Sequence, residues 1–509
     1  MEESKITKKR IAALICSGVM ILAANLLFFL LIWLLNRYDK VQFDQILYQL
    51  KSSSIGTNRD LSTGAAFRVG FFGIGLTAIE VLLYVLLSGN FKEKLKKSRA
   101  YIKYTSTRVC AFFKKSVLPI TGAFLVLSLV FFIIKLDIVA YVSTTSTRSN
   151  FIEEHYVNPS DANISFPEEK RNLIYIFLES MENTFADTSA GGLITDNFIP
   201  ELTNLRDENI SFSNTDGIGG AYSYAGTTWT AAALFAQTSG TIIKVPIFGQ
   251  DYGDEDYMPG ITTLGDILED AGYRQTLLFG SDARFACRDN YFTEHGNYEI
   301  IDTVSLKNED RLPDDYSVWW GFEDMKLFDY AKEELTRLSE LDGPFNFTML
   351  TADTHFPDGY ECELCGNDYA EQYSNVLACS SKQVSEFVDW IKEQPFYENT
   401  TIILSGDHLT MDPEFLVDIN EDYVRTSYNC IINSPTTPAK TKNRLFGTYD
   451  MMPTTLAAIG ATIEGDRLGL GTNLFSDKQT LTEEYGFDFL NEELQKKSIY
   501  YNEKFYENK

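Results

Sequence analysis

Ser405-Gly406-Asp407-His408 closes the apolar run Thr401-Ile402-Ile403-Leu404. An Asp beside a His at the end of a strand can deliver two metal ligands to a sheet edge. Three upstream stretches repeat the pattern. Glu179 directly follows the run Leu173-Ile174-Tyr175-Ile176-Phe177-Leu178, and Thr230 opens the Ala-rich stretch that ends at Gln237. His355 lies in Thr351-ADTHF-Pro357, just after the apolar run 345–350. Each residue has a plainer reading on its own: an acid favoured by a helix dipole, a Thr serving as an N-cap, a buried His. Glu179, Asp407, His408 and the Thr oxygen together form a set of two carboxylates, an imidazole and a hydroxyl that suits Mn²⁺, Mg²⁺ or Zn²⁺ better than a soft metal. A hydroxyl at a helix N-terminus also sits where backbone N–H groups bind phosphate. A metal there would turn it into a nucleophile. Thr227 and Thr228 compete with Thr230 for that role.

The elements that must position these residues alternate. Runs at 173–178, 275–279, 345–350, 401–404 and 429–433 predict strands, and the patterns at 262–271, 322–341, 378–393 and 450–459 predict helices. Strands alternating with helices predict an α/β domain with a mostly parallel sheet between helices. Catalytic groups then belong at the carboxyl ends of the strands. The polar, aromatic tail after Ser476 predicts a helix packed across the domain.

Ahead of this domain lie three apolar stretches, about 11–35, 69–87 and 117–134, each long enough to cross a hydrocarbon core of roughly 30 Å. The first is too long for a cleaved signal peptide and lacks a small-residue cleavage site. The expected organisation is a membrane domain over 1–141, a polar connector over 142–170 and a catalytic domain over 171–509. Residues 90–116 carry nine Lys/Arg against one acid, and Lys8, Lys9 and Arg10 precede the first span. By the positive-inside bias both segments are cytoplasmic, which puts everything after the third span outside a multi-pass cell-membrane protein.

The formal charge of −27 conceals two opposite halves. Residues 1–141 carry 19 Lys/Arg and 8 Asp/Glu, whereas the remainder carries 25 and 63. An outer domain this acidic argues against nucleic-acid partners and is compatible with cation binding. Of the seven cysteines, Cys287, Cys362, Cys365, Cys379 and Cys430 fall in the outer domain, where disulfides are permitted. Cys362-Glu363-Leu364-Cys365 has half the pattern of a zinc site, but no second CxxC follows. A Cys365–Cys379 disulfide closing the intervening loop is the expectation, with Cys362 as the alternative partner.

The order strand-Glu-Ser, Thr at a helix start, THFP and SGDH resembles the alkaline phosphatase superfamily. Within it the chain is similar to membrane phosphoglycerol transferases that decorate osmoregulated periplasmic glucans and, more distantly, to lipoteichoic acid synthases. The matching motifs are Leu178-Glu179-Ser180, Gly226-TTWTAAALFAQTS-Gly240, Gly280-SDARFACRD-Asn290, Trp320-GFE-Asp324, Asp353-THFPD-Gly359, Ser405-GDHLT-Met411 and Gly465-DRLGLGTNLF-Ser476. They span most of 171–509, and the outer loop Phe43-DQILYQ-Leu50 also fits.

The resemblance implies one divalent cation, Mn²⁺ by preference with Mg²⁺ or Zn²⁺ as alternatives, bound by Glu179, Thr230, Asp407 and His408. It implies Thr230 as nucleophile, His355 as a catalytic and phosphate-contacting residue, and Asp282 and Arg288 in the substrate pocket. The implied donor is phosphatidylglycerol in the membrane, and the implied acceptor is a cell-envelope glycan or polysaccharide. Transfer would pass through a phosphoglyceryl-threonine. Two positions depart from the pattern: Ala286 stands where lipoteichoic acid synthases have Trp, and Cys287 where the glycan-modifying enzymes have Gly. Other readings are a phosphoethanolamine transferase, a phosphodiester or sulfate hydrolase, or an inactive glycan-binding protein. No cysteine lies in the C-x-P-x-R context of a sulfatase nucleophile, and no ligand of the metal set is missing.

Overall fold

The computed structural model describes residues 8–38, 42–58, 63–87, 108–247, 252, 257–416 and 422–507. The chain forms two compact units, Met1–Phe43 with Asn58–Tyr141, and Asp44–Thr57 with Val142–Lys509. Part of the basic segment on which the orientation rests, residues 88–107, lies outside the described residues.

The first unit is built from α1 (Lys8–Arg37), α3 (Phe72–Leu87, preceded by a π-helical turn at Ala66–Phe71) and α4 (Arg108–Lys135). Among the described residues, three stretches are long and apolar enough to span a bilayer: Ala12–Arg37, Thr63–Tyr84 and Ser116–Lys135. They mark the chain as a membrane protein. The second starts six residues earlier than its hydropathy predicts, because the π turn extends the helix towards residue 63. Glu80, the single acid inside it, accepts a hydrogen bond from Asn25 Nδ2 at 2.8 Å, and the same amide reaches Thr77 Oγ1 at 3.0 Å. A polar pair inside a span is tolerated when its members satisfy one another.

The second unit contains a six-stranded sheet. Its strands are β1 (Asn172–Leu178), β2 (Arg274–Phe279), β3 (Glu299–Ile301), β4 (Phe345–Leu350), β5 (Thr400–Gly406) and β6 (Asn429–Ile432). Their order is β3-β2-β4-β1-β5-β6, parallel except for the β5–β6 edge pair. Every residue of β1, β4 and β5 is buried, as expected for parallel strands covered on both faces. Alternate side chains enter two cores. Tyr175, Phe177, Leu277 and Ile403 face one, and Ile174, Ile176, Leu278, Phe347 and Ile402 face the other. Each such side chain contributes about 1.5–3 kcal/mol of burial free energy.

The α/β architecture and its mostly parallel sheet agree with the sequence pattern. The three-residue β3 went unpredicted, because a run that short has no readable period. The tail forms several short helices, Leu481–Tyr485, Phe487–Gln495 and Ile499–Tyr501, instead of one. Asp44–Thr57, expected with the membrane region, clusters with the catalytic unit. Its helix α2 (Phe43–Lys51) sends Tyr48 into that unit's core.

Candidate active site

The three central strands β4, β1 and β5 are neighbours and parallel, so their carboxyl ends bring Thr351, Glu179 and Asp407 to one edge. Hydrogen bonds continue past the strand ends. Asp407 N donates to Leu178 O at 3.1 Å and Thr351 N to Phe177 O at 3.0 Å. Glu179 N donates to Thr351 Oγ1 at 3.0 Å, and Thr354 Oγ1 donates to Glu179 O at 2.6 Å. Gly406 is required here, since a Cβ would lie 2.0 Å from Met181 O.

Glu179, Asp407 and His408 are fully buried, and one donor atom from each lies within 4.8 Å of the others. The Asp407 carboxylate is split between two tasks. Its Oδ1 accepts from Ser180 N at 2.8 Å and His408 N at 2.7 Å, while its buried Oδ2 accepts no hydrogen bond among the described residues. A buried carboxylate oxygen without a donor is costly, and a cation beside it removes that cost. His408 Nδ1 lies 2.8 Å from Leu409 O. A carbonyl only accepts, so Nδ1 carries the proton and Nε2 presents its lone pair to the cluster, 3.5 Å from Glu179 Oε1 and 3.4 Å from Asp407 Oδ2. Burial, reinforced by the Asp407 charge, raises the Glu179 pKa. Burial alone would lower that of His408, but the Asp407 and Glu179 carboxylates outweigh it and the net shift is upward. These groups are mutually frustrated anions around one imidazole, and the donor set fits a divalent cation.

Thr230 is the first residue of α5 (Thr230–Ser239). Its Oγ1 lies 3.3 Å from Glu179 Oε2 and 3.3 Å from His408 Nε2. The competing hydroxyls are placed differently. Thr227 Oγ1 is consumed in a turn, donating to Tyr224 O at 2.9 Å and accepting from Tyr224 N. Thr228 is absent from the residues lining the cleft.

That cleft, of about 430 Å³, is lined by Glu179, Thr230, Ser281, Arg288, Trp320 and His355 among others. Arg288 is buried, its guanidinium 4.4 Å from the centre of the Phe279 ring. It donates to Phe285 O, Ser281 Oγ and Asp282 O at 2.8–3.0 Å. Burial pushes its pKa down to about 10, which leaves it charged at neutral pH. His355 Nδ1 is 2.7 Å from Phe356 O, so Nε2 is the atom through which this ring exchanges a proton. Asp282 is placed outside the lining, its carboxylate gripping Arg284 at 2.7 Å. It meets the pocket only through its carbonyl on Arg288.

Trp320-GFE-Asp324 acquires two roles to which the sequence alone gave no clue. The Trp320 ring packs 4.9 Å from that of His355. Asp324, the first residue of α6 (Asp324–Ser339), accepts from Ala352 N at 2.7 Å and Asp353 N at 3.1 Å, fixing the backbone that leads to His355. Burial raises the pKa of Asp324, and burial together with the Asp324 charge raises that of Asp353 far more, so the pair retains a proton at neutral pH.

The expected Cys365–Cys379 disulfide is absent: Cys362, Cys365 and Cys379 are all free thiols. Cys362 Sγ stands 3.7 Å from each of the other two sulfurs. Three sulfurs converge where the loop argument anticipated two, and a disulfide needs about 2.05 Å.

Comparison with known proteins places this geometry. The Sulfatase family model matches residues 171–461, more than half of the chain, and the chain belongs to that family. It is 31% identical over 327 residues to phosphoglycerol transferase I of Salmonella choleraesuis, covering 63% of this chain and 41% of that protein. It is 30% identical over 330 residues to the protein of the same name from Shigella flexneri, with the same coverage. The chain thus spans about two fifths of the length of these relatives. Among solved structures, the integral membrane lipooligosaccharide phosphoethanolamine transferase A of Neisseria meningitidis superposes with a TM-score of 0.52. The match covers 87% of this chain and 84% of that one at 13% identity, and it shares the layout of N-terminal helices followed by the α/β domain.

Proposed function

We propose that this protein transfers a phosphoglycerol group from phosphatidylglycerol to a glycan hydroxyl outside the cell membrane. The observation that carries the reading is the Thr230 hydroxyl at the start of α5, 3.3 Å from both Glu179 and His408, in a chain related to proteins named phosphoglycerol transferase I. The basic segments before the first span and between the second and third support an extracytoplasmic site in a multi-pass protein.

Glu179, Asp407, His408 and Thr230 Oγ1 would hold one divalent cation, Mn²⁺ by preference, whose charge lets the threonine oxygen react as an alkoxide. The lipid phosphate lies against the α5 N-terminus, whose backbone N–H groups and dipole favour an anion. Arg288 adds a fixed positive charge for the oxygens that gain charge in the transition state. Thr230 Oγ1, its proton released to solvent beforehand, attacks phosphorus, the bond to the diacylglycerol oxygen breaks, and protonated His355 gives that oxygen a proton from Nε2. A glycan hydroxyl then surrenders its proton to His355 and attacks phosphorus. The Thr230–phosphorus bond breaks and the enzyme is restored. Two displacements give ping-pong kinetics.

The test is incubation of purified protein and Mn²⁺ with phosphatidylglycerol or phosphatidylethanolamine, each labelled in the headgroup, in the presence of an envelope glycan. Label should pass from phosphatidylglycerol to glycan with release of diacylglycerol. Transfer from phosphatidylethanolamine alone would overturn the donor assignment.

A further inference from the structure

We propose that Cys362, Cys365 and Cys379 form a second metal site, a three-thiolate zinc centre that fixes the loop carrying His355. The separations point to it. Cys362 Sγ is 3.7 Å from Cys365 Sγ and 3.7 Å from Cys379 Sγ, and all three sulfurs lie within 4.8 Å of one another. Zinc–thiolate bonds of about 2.3 Å at tetrahedral angles put neighbouring sulfurs about 3.8 Å apart. A disulfide would use two sulfurs at about 2.05 Å and strand the third beside it.

The surroundings are arranged for thiolates. Cys362 and Cys365 form a tight turn, with Cys365 N donating to Cys362 O at 3.1 Å. Cys379 comes from α7 (Gln372–Lys392), and Gln383 one turn further on donates from Nε2 to Cys379 Sγ at 3.3 Å and to Cys362 Sγ at 3.8 Å. Donors aimed at ligand sulfurs orient and stabilise them. Soft sulfur also separates this site chemically from the oxygen and nitrogen donors around Thr230, so each site can select its own ion. Among the described residues no further His, Cys or carboxylate joins the three sulfurs. The fourth position therefore falls to solvent, on the side of the partly exposed Cys365.

The centre ties the segment after His355 to α7. Tyr360 N donates to Asp353 O at 2.7 Å, and Tyr373 OH on α7 donates to Thr354 O at 2.8 Å. A metal across Cys362, Cys365 and Cys379 closes this frame covalently.

The test is cobalt substitution of the full-length protein in detergent. Thiolate-to-cobalt charge transfer reports this site alone, since the ligands near Thr230 include no sulfur. Wild type and Asp407→Asn should both show the band and retain about one zinc per chain before exchange. Cys365→Ser, the least buried of the three, should lose about a third of the band, one thiolate of three, and Cys379→Ser should lose more through misfolding or release of the ion. Two results would overturn the proposal. One is a disulfide-linked peptide between any two of these cysteines in protein isolated without reductant and lacking the band. The other is a band that persists undiminished in Cys365→Ser.

Discussion

Gln237 Nε2 donates to the carbonyl of Gly406 at 3.1 Å, tying the helix that begins with Thr230 to the strand that ends in Asp407 and His408. The same side chain accepts from Tyr175 OH at 2.8 Å and Ser405 Oγ at 2.7 Å. Both polar atoms of this buried amide are therefore engaged in setting the distance between Thr230 and the Asp407–His408 pair.

Gln237→Leu keeps the volume but takes the amide away from the Tyr175 and Ser405 hydroxyls and the Gly406 carbonyl, leaving only the 3.4 Å contact of Ser405 Oγ with Gly406 O among these partners, at a cost of about 1–3 kcal/mol per unpaired group. The melting temperature should fall by several degrees. In the protein that remains folded, kcat should drop at least about tenfold, because an ångström of misplacement matters in a preorganised site. Thermal denaturation alongside steady-state kinetics checks both. Unchanged kcat in the folded fraction would mean that α5 is held in place by other contacts.

The segment Asp44–Thr57 braces the pocket wall. Tyr48 OH donates to Ala286 O at 2.8 Å, and Ala286 N donates to Ser53 O at 3.1 Å. Ala286 and Cys287 both hold positive φ, 59° and 58°, a conformation that surrounding contacts must maintain in non-glycine residues. Gly56 allows the close approach, since a Cβ there would lie 2.7 Å from Asp282 Cβ. Tyr48→Phe removes one buried hydrogen-bond donor, worth about 1 kcal/mol. It should raise KM for the lipid donor several-fold with little change in kcat, because the loss falls on the segment that holds Arg288. Kinetics over a range of donor concentrations separates the two parameters.

Stability should depend on pH through His295. Burial alone would lower its pKa, but Asp266 Oδ2, 3.3 Å from Nδ1, outweighs it, helped by Tyr257 O at 2.7 Å from Nε2, and the pKa is raised. A raised folded-state pKa means that the protonated form is favoured by folding. Its contribution is then fully present below the unfolded value of about 6.5 and is lost as pH rises through the folded value. His295→Gln should flatten that part of the profile. Melting temperatures measured between about pH 5 and 8 for both proteins check the sign.

Much of this site was legible because parallel strands buried on both faces appear as unbroken apolar runs, and the residue that ends such a run stands out. Glu179, Asp407 and His408, which the fold brings together, stand out in the sequence in that way. Thr230 stood out by heading an Ala-rich helix. Gln237, Asp324 and Asp353 left no comparable mark, since their importance lies in partners distant along the chain. Helix α7 begins at Gln372, six residues before its periodicity suggests, because Ser374 and Asn375 are buried and Asn375 bonds to Tyr369 and Glu371. Loop length singled out two cysteines, and only the tertiary fold brings the third beside them.

The central claim is that Thr230 carries the phosphoglyceryl group. Peptide mass spectrometry of protein quenched during turnover with phosphatidylglycerol and Mn²⁺, without acceptor, tests it most directly. The adduct should map to Thr230. Thr230→Ala should form none at any metal concentration while staying folded, having lost at most a helix-start contribution of about 1 kcal/mol. Asp407→Asn should recover part of its adduct as Mn²⁺ is raised, and chelation should abolish it in wild type. An adduct on Thr228, or one that persists in Thr230→Ala, would contradict the assignment.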